Sequence, residues 1–177
     1  MIILGIDPGS RFLGYAAIEL KNERMHPLEY GVLKFDSNEN LSQRLLEIGT
    51  GLRDLMTSFK PDHVSLEKIF LGKNADSAFK LGHARGVVIY EALLAKAVVF
   101  EYATRSVKKG ITGSGAADKD HVRIVVQNLL KLPPVKSLDA SDALAMACYH
   151  VTQLRSIAVK NVLELQAKTK SKKELDL

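Results

Sequence analysis

Ile2-Ile3-Leu4-Gly5-Ile6-Asp7-Pro8-Gly9-Ser10-Arg11-Phe12-Leu13-Gly14 is the stretch on which the reading of this chain turns. The opening run is apolar and too short for a stable helix. Turn residues close it, so it reads as a buried strand. It ends abruptly at one carboxylate, and a second apolar run, Tyr15 to Leu20, follows the Pro8-Gly9 turn. Burying a charge is costly unless it is paired or bound to a metal. Asp7 therefore has two readings: a turn-starting residue before Pro-Gly, or part of a metal or phosphate site.

Working outward, residues 2–7, 13–20 and about 28–35 read as three strands joined by short connections, consistent with antiparallel hairpins. Leu41, Leu45, Ile48, Leu52, Leu55 and Phe59 recur in steps of three and four, which predicts a long amphipathic helix. Pro61-Asp62 stops it. His63-Val64-Ser65-Leu66-Glu67 alternates polar and apolar and predicts a strand that again ends at a carboxylate. A helix between two strands suggests a crossover and parallel pairing. Residues 70–76 read as a polar loop, 77–96 as a helix interrupted by Gly82 and Gly86, and 98–102 as a fifth strand. A short helix at 104–110, a Gly-rich loop, a helix with Val122, Val125, Val126, Leu129 and Leu130 on one face, and a last core helix from Leu138 to Leu154 complete the order. Three antiparallel strands followed by parallel additions give an α/β domain with a mixed five-stranded sheet flanked by helices, the ribonuclease H-like arrangement. Residues 1–155 form the expected domain. The Lys-rich residues 156–177 are expected to be a frayed or disordered basic tail.

Composition narrows the class. A chain of 177 residues with 46% hydrophobic and 25% charged residues has the balance of one ordinary globular domain. The one cysteine, Cys148, sits in an apolar helical pattern and reads as a small core residue. No apolar run approaches the length of a membrane span, and the N-terminus leads straight into a strand, so a cytoplasmic location without signal peptide or membrane contact is expected. The net charge of +5 is a weak pointer to nucleic acid. Solubilising surface lysines are the ordinary alternative.

Four acids carry the chemistry. Asp7 and Glu67 would emerge at one sheet edge if their strands are neighbours. Asp139 and Asp142 lie three apart at the start of the last helix and share a face. Acids in a first helical turn also oppose the helix dipole, which is reason enough for that pair taken alone. Together, carboxylates from separate elements can hold two hard cations such as Mg²⁺. Such a pair clamps the attacking and leaving oxygens of a phosphoryl displacement. Setting these four acids aside raises the formal charge from +5 to +9. The five histidines are scattered without zinc-like spacing. Neither a GxSxG elbow nor a Walker-type phosphate loop is present.

GIDPGSRFLGY (5–15), LEKIF (66–70), GKNADSAFKLGHARGV (72–87), FEYATRSVKK (100–109), the loop containing Lys119, and LKLPP followed by LDASDALAMA (130–147) occur in an order and spacing that resemble the RuvC family of Holliday junction resolvases. The resemblance spans about residues 1–153. It implies a ribonuclease H-like fold, a homodimer, and Mg²⁺-dependent cleavage of four-way DNA junctions in recombination and repair, with Mn²⁺ as a substitute ion. It carries the acidic set over to Asp7, Glu67, Asp139 and Asp142. Some relatives have His at the last position, where this chain has Asp. It also places Lys108 and Lys119 near the scissile phosphate, where a lysine stabilises developing charge. Phe70 is either a loop anchor or a base-stacking wedge at the junction centre. Lys73, Asn74 and Arg85 are candidate DNA contacts, Arg85 equally a dimer salt bridge, and the 77–96 helix is the candidate dimer element. The Ruv branch-migration motor is the partner implied. Competing readings are an actin-like kinase or ATPase, which needs two such domains, a nuclease of the same fold acting on RNA, and a junction-binding protein without catalysis.

Overall fold

The computed structural model describes residues 1–36, 38–68 and 75–175, with side chains as far as Ala158. Strands β1 (Ile2–Asp7), β2 (Phe12–Lys21) and β3 (Arg24–Lys34) are followed by α1 (Leu41–Phe59), β4 (His63–Glu67), α2 (Ala75–Leu94), β5 (Val98–Tyr102), α3 (Thr104–Thr112), α4 (Lys119–Leu130) and α5 (Leu138–Leu175). The sheet order is β3-β2-β1-β4-β5. β1, β2 and β3 pair antiparallel, while β4 joins β1 and β5 joins β4 in parallel. This is the mixed ribonuclease H-like sheet that the strand order predicts.

Local chemistry sets the element ends. The Asn40 side chain accepts from the Gln43 N–H at 3.0 Å and caps α1. Lys60 ends that helix in a left-handed conformation, φ 47°, its N–H bonded to the Met56 carbonyl. Asp118 caps α4 through the His121 N–H at 2.7 Å. α5 continues through Leu175, past the Leu154 limit expected from the sequence. No Gly or Pro interrupts residues 138–175, so no residue forces the backbone out of the helix there.

Strand alternation sorts the side chains into two cores. Ile3 faces a core with α3, α4 and α5 that includes Val107, Val126 and Leu144. Leu4 and Ile6 face the other, with Ile48, Leu52 and Val88 of α1 and α2. Each such fully buried side chain contributes about 1.5–3 kcal/mol relative to exposure. The same period of two puts Gly5 and Asp7 on the α5 side with Ile3, and Ser65 and Glu67 on that side with His63. β1 and α5 meet at backbone distance: a Cβ on Gly5 would lie 2.1 Å from the Ala143 carbonyl oxygen. Gly14 of β2 is pressed equally close to the Asp139 carbonyl. Two glycines thus let α5 lie against the sheet, and that seating brings its first turn over the end of β1.

Candidate active site

The parallel register Ile6↔Leu66 makes Asp7 and Glu67 neighbours at the ends of β1 and β4. Both share the face covered by the start of α5. Asp7, Glu67 and Asp142 line one cavity of about 90 Å³ with Lys108 of α3, Lys119 of α4, and apolar Val107, Val122, Ala145 and Met146. Asp139 sits one turn earlier on α5 and lines an adjoining groove, close enough to act on Asp7 electrostatically. The four acids read from the sequence are therefore gathered at one end of the sheet, from three elements that are far apart in the chain.

Crowding shows in the proton affinity of Asp7. Burial is the largest cause and pushes its carboxyl up to about 8; the negative charges of Asp142, Glu67 and Asp139 push the same way, against Lys119. The Lys119 ammonium donates to the Asp142 carboxylate at 2.7 Å. That hydrogen bond raises the lysine's own pKa, with Asp7 and Asp139 adding to it. Lys108 donates to the Ala117 carbonyl at 2.7 Å, which ties α3 to the loop before α4 and keeps its ammonium at the cavity.

Glu67 is braced from two sides. The Thr104 hydroxyl donates to its carboxylate. The Arg85 guanidinium donates to its main-chain carbonyl at 3.1 Å and pairs with Glu101 of β5. Thr104 escaped the sequence reading. Register places it: β4 and β5 pair in parallel with Glu67 opposite Tyr102, so the residues just after Tyr102 surface beside Glu67. Arg85, a candidate DNA contact from the sequence, has only 17% of its side chain exposed and spends its donors inside the protein. Phe70, Lys73 and Asn74 lie outside the described residues.

Whether these residues suit a divalent cation follows from their donors. All four acids offer hard carboxylate oxygens, the ligand type that Mg²⁺ takes. Burial first, and repulsion among the acids second, raise the proton affinity of Asp7, and a cation among them would offset both. Among the described residues no three carboxylate, imidazole or thiolate side chains are drawn into a single ligand cluster. The acids surround the cavity, with Lys119 holding Asp142. The donor set fits in chemistry, and its members stand around a space instead of meeting at a point.

Comparison with known proteins identifies the family of the chain. Residues 3–150 match the family model of crossover junction endodeoxyribonuclease RuvC. The RuvC protein of Bdellovibrio bacteriovorus is 50% identical over 159 residues, covering 90% of this chain and 95% of that protein. The RuvC protein of Tolumonas auensis is 47% identical over 149 residues, covering 84% and 86%. The Thermus thermophilus RuvC structure matches with a TM-score of 0.80 at 29% identity over 88% of this chain and 96% of that one. The same protein in complex with Holliday junction substrate matches with a TM-score of 0.79 at 27% identity, with the same coverage. The acids at the sheet end thus lie in a fold and a sequence pattern shared across nearly the whole chain, and the chain belongs to the RuvC family of crossover junction endodeoxyribonucleases.

Proposed function

We propose that this crossover junction endodeoxyribonuclease cuts four-way DNA junctions at the Asp7–Glu67–Asp139–Asp142 cluster, with Lys108 and Lys119 beside the scissile phosphate. The observation that carries this is the cavity that three of these acids share with both lysines, among them a half-buried Asp7 whose carboxyl is pushed up to about 8. RuvC nucleases are metal-dependent, and the acids here are proposed to hold two divalent ions, Mg²⁺ or Mn²⁺. When bound, such ions activate a water and offset charge on the departing oxygen. The chain's own residues do the positioning. Thr104 and Arg85 fix Glu67 at both ends of the residue. Lys119 leaves Asp142 to meet a phosphate oxygen, an exchange of one anionic partner for another. Val107, Val122 and Met146 limit water around the reacting atoms. The test is a nuclease assay on four-way junction, duplex, single strand and RNA–DNA hybrid, with and without Mg²⁺. Junction-selective, Mg²⁺-dependent strand cleavage is expected. Equal cutting of plain duplex or of hybrid would refute the reading.

The functional unit is proposed to be a homodimer, because resolution requires two equivalent cuts and a two-fold pair of sites supplies them. The supporting feature is α2. Phe79, Tyr90, Leu93 and Leu94 of this helix are exposed by 57–69%, and a Cβ on Gly82 or Gly86 would meet nothing within 4 Å. An apolar face of that kind, with two positions open to close approach, suits a second copy of the same helix. The nuclease domain is proposed as residues 1–155. The family relationship makes the Ruv branch-migration motor the proposed partner, and the cytoplasm the proposed compartment. Among the described residues no helix is long and apolar enough to cross a membrane.

A further inference from the structure

A second depression on the same face of the sheet adjoins the acid cluster, and the proposed chemistry leaves it unused. Register decides its lining. Phe12 and Gly14 are two apart on β2 and share a face, and Gly14 rests on the Asp139 backbone, so that face is the one α5 covers. Phe12 pairs with Lys34 on β3, and Gly14 pairs with Val32. Lys136, from the turn before α5, stands across from them, and Asp139 closes the end toward the catalytic acids. The groove measures about 590 Å³, within the range of sites that take small organic ligands. Phe12 is half exposed at its edge, although it starts a strand whose next residue, Leu13, is fully buried.

We infer that this groove is a nucleotide subsite of the cleavage centre. The base next to the scissile phosphate stacks on Phe12 and Tyr30, and Lys34 and Lys136 take the adjoining phosphate. The inference rests on reading the four acids as the place of cleavage. A DNA strand does not end at the bond being cut, so it must leave the acid cluster in some direction. On the β4 side the cavity is walled by α3 and α4 through Val107, Lys108, Lys119 and Val122. On the β2 side Asp7 pairs with Gly14, and two residues further along β2 Phe12 pairs with Lys34, bordered by Asp139. An aromatic surface stacks any base, and two cations match the backbone charge.

The experiment places 5-iododeoxyuridine at each position flanking the cut in a four-way junction. The full chain is irradiated with it in Ca²⁺, and adducts are mapped by peptide mass spectrometry. An adduct at Phe12 or Tyr30, from a nucleotide adjacent to the cut, is expected. In parallel, Phe12→Ala, Phe12→Leu and the Lys34→Gln, Lys136→Gln pair are assayed for single-turnover cleavage across junction concentrations. Each should raise the half-saturating junction concentration by about tenfold, the scale of one lost stacking or phosphate contact. The Mg²⁺ concentration for half-maximal rate should not move. Phe12→Leu separates stacking from packing: a wild-type Phe12→Leu beside an early-melting Phe12→Ala makes Phe12 a structural residue and overturns the subsite. Adducts that map only outside the groove overturn it as well. Failure of the underlying reading looks different, because Asp7→Asn would then cleave at the wild-type rate whatever the groove variants do.

Discussion

At the scale of single residues, the consequences of the site are sharpest at Asp7 and Thr104. Asp7→Asn keeps the shape of the strand end and removes the charge. Single-turnover cleavage in Mg²⁺ should fall by at least about a hundredfold, the scale of deleting one preorganised electrostatic group. Junction affinity in Ca²⁺, read by gel shift, should hold or tighten, since a charge repelling phosphate is gone. The same substitution has a stability signature without metal. The folded-state pKa of Asp7, about 8, lies above its ordinary value of 3.8. Its contribution to stability is therefore complete below pH 3.8 and is lost as pH rises through 8. In EDTA, Asp7→Asn should melt above wild type at pH 9 and level with it near pH 3.5. About 1 kcal/mol of relief moves Tm by about 2–4 °C for a chain of this size. Thr104→Val removes the hydroxyl that holds the Glu67 carboxylate. Loss of a hydrogen bond to a charged group costs about 1.5 kcal/mol, or about tenfold in rate. It should appear in kcat and in the Mg²⁺ dependence with KM for junction unchanged, and Thr104→Ser should restore it.

Among the elements, α5 carries the most. Its first two turns supply two of the acids, and its seating depends on Gly5 and Gly14. Gly14→Ala forces a methyl group into the Asp139 carbonyl and should cost about 1–3 kcal/mol, as overpacking does. Cleavage should drop beyond what the melt predicts, because the helix that moves carries Asp139 and Asp142. Farther along α5, His150 is fully buried. Its Nε2 shares a hydrogen bond with Nδ1 of His63 at 2.9 Å, and its Nδ1 with the Tyr102 hydroxyl at 2.7 Å. Burial first, and His63 second, hold its pKa down to about 4. The stability from this neutral ring is present above pH 6.5 and lost as pH falls through 4. Wild-type Tm should decline across that window, with His63, also lowered by burial, contributing. In His150→Leu the decline should be shallower, though the variant melts lower throughout, having left Tyr102 and His63 without their partner.

For the whole molecule, the decisive question is how two sites face one junction. The apolar face of α2 is the proposed seam, and Arg85 of the same helix holds the Glu67 carbonyl. Pairing through α2 would therefore tie the dimer to the geometry of each site. Gly86→Arg fills an open position on that face with a charged side chain. Sedimentation should show the wild type at twice the chain mass and this variant at the chain mass. A wild-type monomer at micromolar concentration with junction present would remove the seam. Junction binding by the dimer should weaken steeply with salt through counterion release, with a smaller slope after Lys34→Gln and Lys136→Gln.

Much of this was legible in the chain itself. Strand and helix periods are local, so Ile2–Asp7, Leu41–Phe59 and His63–Glu67 could be read from the spacing of their apolar residues alone. The order of the elements then pointed to a mixed five-stranded sheet, and two strands ending in acids marked the site, while the neighbour relation of β1 and β4 came from the structure. The length of α5 was misjudged because helix propensity past Leu154 competes with charge, and spacing does not weigh the two. What only the tertiary structure decided are relations between residues distant in sequence. Thr104 reaches Glu67 because β5 lies beside β4. Arg85 turns inward because Glu101 waits on that strand. The raised proton affinity of Asp7 exists only once folding buries it and brings the acids of β4 and the start of α5 beside it. Backbone conformation follows from neighbours along the chain, whereas burial and electrostatic coupling fall off with distance in space, and only folding fixes that distance.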